Sequence, residues 1–140
     1  MAFTTTASNI LLKQMTGKES SSGILYNCYM GLSTTTPNAD GTGFTEPASS
    51  TGYARARIGL SGTPATQVMG NPSNGSITNT SIIYFPIALA NYGDAVTYFG
   101  LFTAETGGTL MIYGALTSPV TVLKDYVPLF NTSNFTMTLS

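Results

Sequence analysis

Between Val96 and Thr117 the chain reads VTYFGLF, then a loop with paired glycines, then TLMIYGALT. Both runs are rich in β-branched and aromatic residues, which fit a pleated surface better than a helix. The connection Thr103–Gly108 holds the glycines that a tight reversal needs, so the stretch predicts a β-hairpin. Apolar residues fall on both alternating sets: Val96, Tyr98 and Phe102 on one, Phe99 and Leu101 on the other. A strand apolar on both faces belongs inside a sheet stack, so this hairpin is expected at the centre of the core. It holds no side chain suited to catalysis, which directs attention to surfaces and assembly.

The rest of the chain follows the same grammar. A short helix is expected near the start, capped by Ser8 or Asn9, with ILLKQM as its body and Gly17 just past its end. Gly23–Ser33 reads as a strand, and Tyr53–Leu60 as a half-buried one. In the latter, Ala54, Ala56, Ile58 and Leu60 face inward, while Tyr53, Arg55 and Arg57 form a basic outer face. Two long connections, Thr34–Gly52 and Ser61–Gly75, are rich in turn-forming residues: Thr, Ser, Pro, Gly, Asn and Asp in the first, and Pro64, Gly70, Pro72 and Gly75 in the second. Loops longer than about 12–15 residues are either functional or disordered, and the low charge of these two favours ordered contact loops. Ile77 opens another strand region that Pro86 breaks. Val120–Leu123, Tyr126–Phe130 and an alternating end from Phe135 complete the set. About seven to eight strands with turn signals between them predict an all-β domain, a β-sandwich or jelly-roll-like fold with a short N-terminal helix. The expected division is an N-terminal arm or short helix over 1–22 and the β-sandwich over 23–140. The expected core includes Leu25, Ile58, Leu101, Phe102, Ile112, Leu116, Phe135, Met137 and Leu139.

Only 8% of the 140 residues are charged, against about 25% in an average chain. A free monomer normally stays soluble through charge, so this surface suits a protein that works packed in an assembly. A net charge of −1, with five scattered cations, provides no footprint for nucleic acid. The single cysteine, Cys28, allows no internal disulfide, and its apolar neighbours mark it as a small buried residue. No run approaches the roughly 18 apolar residues of a membrane span. MAFTTTASN also lacks the basic and apolar regions of a secretory signal.

There is no histidine, which removes every triad and metal site that depends on imidazole. The six acids lie on predicted loops or turns, without dyad spacing. Asp40 in NADGTG lacks the alternating acids and closing Glu of a calcium loop. ETGG is a hairpin connection with no following helix, so it is no phosphate loop. No cofactor and no catalytic residue is expected.

The order LYNCYMGLSTTTPNADGTGFTEP, GYARARI, then NYGDAVTYFGLFTAETGGTLMIYGALTSPVTV resembles small structural proteins of tailed bacteriophages, the head-fibre, capsid-decoration and tail-fibre proteins. The resemblance covers nearly the whole chain after about residue 23. It departs at Tyr92, where relatives often carry Trp, and at Lys124-Asp125, where they often carry Gly-Asp. It implies a non-enzymatic virion protein, assembled in the bacterial host cytoplasm. The expected role is a capsid decoration or head-fibre protein on the outer surface of the phage head. A tail or baseplate fibre adaptor is the alternative, and a carbohydrate-binding host-recognition module a further one. Its expected partners are the major capsid protein or another virion protein and further copies of itself, as a dimer or trimer, with no nucleic acid or membrane. The two long loops and the arginines between them are the expected contact region: Pro37, Asp40, Phe44, Glu46, Pro47, Arg55, Arg57, Pro64 and Pro72. The prolines would lower the entropy lost on docking.

Overall fold

In the computed structural model, which describes residues 2–16, 27–60 and 68–139, one helix precedes eight strands. These are α1 (Thr5–Met15), β1 (Asn27–Ser33), β2 (Ala56–Leu60), β3 (Ser76–Thr78), β4 (Ile83–Tyr84), β5 (Val96–Phe102), β6 (Leu110–Val120), β7 (Leu129–Phe130) and β8 (Thr136–Thr138). The fold class is the expected one: β-structure with a short N-terminal helix, its strands in open antiparallel sheets rather than a barrel. Leu25, Pro64 and the side chain of Leu60 lie outside the described residues. The chain divides into two units, one of Met1–Cys28, Arg57–Ile83 and Phe130–Ser140, the other of Tyr29–Ala56 and Tyr84–Leu129.

The second unit is built around the predicted hairpin. β5 pairs antiparallel with β1 on one side, Gly31 opposite Gly100, and with β6 on the other, Gly100 opposite Tyr113. The loop between β5 and β6 turns through Gly107 and Gly108 at φ 62° and 68°, as the paired glycines predict. Lying between two strands, β5 buries Val96, Leu101 and Phe102. β6 corrects the expectation of a wholly central hairpin, because it ends its sheet. Ile112 and Leu116 are only half-buried, and Met111 and Tyr113 are exposed. Register shifts interrupt its pairing near both ends, in the manner by which bulges blunt a sheet edge.

In the first unit α1 begins earlier than expected. Thr4 is extended and its hydroxyl accepts from the Ala7 N–H at 3.2 Å, which makes it the cap. Asn9, one of the expected caps, sits inside the helix, and its side-chain oxygen accepts from the Gly75 N–H at 2.9 Å. The helix buries Ser8 and Leu12 and packs against β3. At 11 residues, about three turns, it is too short to be stable alone and depends on that docking. β3 and β8 pair antiparallel, Ile77 opposite Met137, with Ile77, Phe135 and Met137 buried. Asn79 is fully buried: its amide donates to the Ser81 and Asn131 carbonyls and its oxygen accepts from the Phe135 N–H, each at 2.9 Å. Of the expected core, Ile58, Leu101, Phe102, Phe135 and Met137 are buried, and Leu139 is half-buried. The predicted strand over Tyr126–Phe130 shrinks to Leu129–Phe130, since Pro128 has no N–H to give a ladder.

Candidate interaction surface

Two glycines seat the first long loop. Gly31 and Gly100 face each other across β1 and β5, and the absence of both side chains opens a trough on one face of the sheet. A Cβ at Gly100 would lie 2.6 Å from the Phe44 ring, and one at Gly31 would lie 2.9 Å from a Glu46 carboxylate oxygen. The chain from Phe44 to Glu46 therefore lies directly on the sheet. Phe44 meets Phe102 edge-on, with ring centroids 5.0 Å apart.

Arg55 then clamps three segments together. Its Nε and Nη2 donate to the two Glu46 oxygens at 2.8 Å each, a bidentate ion pair. Nη1 donates to the Ala104 and Gly107 carbonyls of the hairpin loop at 2.8 and 2.7 Å. The guanidinium also lies 3.4 Å from the centroid of the Phe102 ring. Tyr53 completes the brace: its hydroxyl donates to Glu46 Oε1 at 2.7 Å and accepts from the Leu32 N–H at 2.9 Å. Burial, reinforced by the Glu46 charge, pushes its phenol well above the ordinary value, so it remains a neutral donor.

Beyond the clamp the loop folds as its own small hairpin. The Thr34 N–H donates to the Thr45 carbonyl at 3.0 Å and the Asn38 N–H to the Thr42 carbonyl at 2.8 Å. At the tip the Asp40 carboxylate accepts from the Thr42 hydroxyl at 2.6 Å and the Thr42 N–H at 3.0 Å. Those bonds, the hydroxyl's first, hold its carboxyl below the usual range. The loop is thus ordered by internal bonds, with Thr35, Thr36, Asn38, Ala39, Asp40 and Thr42 turned to solvent. A shallow depression of about 250 Å³ borders it, lined by Pro47, Ser49, Ala54, Glu105 and Thr106 among others. Among the described residues no three His, Cys, Asp or Glu side chains gather as a metal-binding group.

The expected contact residues thus separate by role. Pro37 and Pro47 are buried, Phe44 and Glu46 half-buried, and Asp40 exposed. Arg55 departs from its predicted exposed face: its side chain is 7% exposed, because strand β2 begins only after it and Glu46 draws it inward. Arg57 is exposed as predicted, and Pro72 is half-buried; both belong to the other unit.

A second surface escaped the sequence reading. Segments 84–89 and 123–129 run side by side through bonds from the Phe85 N–H to the Pro128 carbonyl (3.0 Å) and from the Ala88 N–H to the Tyr126 carbonyl (2.8 Å). Phe85 and Ala88 point inward, while Tyr84, Ile87, Leu89, Tyr126, Val127 and Leu129 are exposed. The available signal was YFPIAL and YVPL, two uncharged apolar runs each broken by a proline.

Residues 2–138 match the protein family described as podophage GP4 fiber I protein gp80. The match spans almost the entire chain, and the chain belongs to that family. No curated protein matches it.

Proposed function

We propose that this member of a podophage fibre family is a non-enzymatic fibre subunit on the outer surface of the phage head. It grips the major capsid protein, or another protein of the particle, through the loop Thr34–Gly52. The observation that carries this reading is the Arg55–Glu46–Tyr53 brace, which holds a long loop in one shape. A loop already ordered loses little entropy on docking, which favours tight attachment to a protein surface. A chain with 8% charged residues and no shaft-forming repeat suits repeated attachment to a lattice. Copies associate as a dimer or trimer, a reading supported by the charge-poor surface together with an apolar content of 42%.

Two measurements test this. Gold-labelled antibody against the chain should decorate the heads of intact virions; label confined to the tail would favour a tail or baseplate adaptor instead. Particles lacking the protein should bind the added purified chain, and a variant with residues 38–43 replaced by a two-residue turn should lose that binding while keeping its fold. Full occupancy by the shortened variant would move the grip elsewhere.

A further inference from the structure

Resting on the fibre-subunit reading above, we propose that the apolar strip formed by segments 84–89 and 123–129 is the contact between two copies of this chain. In that contact each copy lays Lys124 against Asp125 of the other. Tyr84, Leu89 and Tyr126 are 60%, 63% and 58% exposed, and Ile87, Val127 and Leu129 stand beside them on the same paired segments. Monomeric proteins rarely leave contiguous apolar patches of more than a few hundred Å² uncovered, and larger ones mark interaction sites. The strip is also ordered in advance. Backbone bonds join its two segments at three points, the third from the Asp125 N–H to the Ala88 carbonyl at 2.7 Å. Phe85 and Ala88 anchor it from beneath, and Pro86 and Pro128 fix φ within it.

Charge identifies the occupant. Lys124 and Asp125 are the only charged residues of the two segments, and neither belongs to an ion pair among the described residues. They are adjacent at the turn and opposite in sign. A partner surface of one sign would match one of them and repel the other. A second copy related by a twofold axis presents the same two charges in reverse order and matches both, as a self-complementary interface requires. The strip is otherwise apolar and aromatic, the composition of the central part of such contacts.

The test uses the purified full chain in light scattering across a concentration series, with circular dichroism to confirm folding. Wild type should show the mass of an assembly, and Tyr126→Glu should show that of one chain. Lys124→Glu and Asp125→Lys, each alone, set like charges together and should weaken assembly by about tenfold or more. Mixed in equal amounts they restore opposite charges across the contact, and the assembly should return. The exposed side chain of Tyr126 makes its replacement safe for the fold should Asp125→Lys misfold at its positive φ of 72°. An assembly that survives Tyr126→Glu, or folded single variants whose mixture stays apart, would overturn this contact and leave the fibre-subunit reading standing. A wild-type monomer at every concentration would overturn the contact, and with it the expectation of self-association. If that monomer also needed Tyr126 to bind particles, the strip would face the particle and not a second copy.

Discussion

Arg55 shows how much one side chain can carry. It joins Glu46, two hairpin-loop carbonyls and the Phe102 ring with its side chain only 7% exposed. Removing it leaves the Glu46 carboxylate without its partner and two carbonyls without donors. Arg55→Ala should therefore cost about 3 kcal/mol in urea unfolding. Arg55→Lys should recover little, because an ammonium cannot make the forked contact. A near-neutral Arg55→Ala would mean the clamp does not hold the loop. Cys28 is buried, and that burial raises its thiol above the ordinary value of 9.0. The folded chain keeps it protonated, whereas the unfolded chain ionises it near that value. Its contribution to stability is thus complete below pH 9 and declines as pH rises above it. Cys28→Ala should flatten the fall in thermal stability between pH 9 and 10. Above that, Tyr53 adds a loss of the same sign from its ordinary value of 10.0.

Among the elements, the trough between β1 and β5 decides where the long loop lies. Gly100→Ala would push a methyl group to within 2.6 Å of both Leu110 and Phe44. Overpacking of this kind costs about 1–3 kcal/mol. It should also lift the loop from the sheet, so limited proteolysis is expected to cut within residues 34–52 faster than in wild type. Unchanged cleavage would place the loop's anchor at Arg55 alone. β6 illustrates the opposite case, an element whose sequence is as apolar as that of its partner yet which lies at the sheet edge. Its bulges and Pro119 limit pairing with other chains.

For the whole molecule, contacts made through apolar and uncharged polar groups should respond weakly to ionic strength. With 8% charged residues and a net charge of −1, assembly measured by light scattering should change by less than about tenfold between low and high salt. Dissociation by salt alone would assign the contact to charge instead.

The β class, the hairpin at Val96–Thr117, its positive-φ glycines and the burial of Cys28 were all legible in the sequence. They follow from alternation, side-chain branching and glycine placement, which act over a few residues. The same local rules misplaced the helix cap by a turn, since Thr4 and Asn9 are both competent caps and Asn9 is engaged by Gly75, 66 residues away. Tertiary structure alone decided that β6 lies at an edge, because the number of neighbouring strands is not written in a strand's own pattern. It also turned Arg55 from an exposed cation into an internal clamp, through partners 9, 49 and 52 residues distant. The apolar strip arises in the same way: two modest runs, separated by more than thirty residues, become one surface only when backbone hydrogen bonds set them side by side.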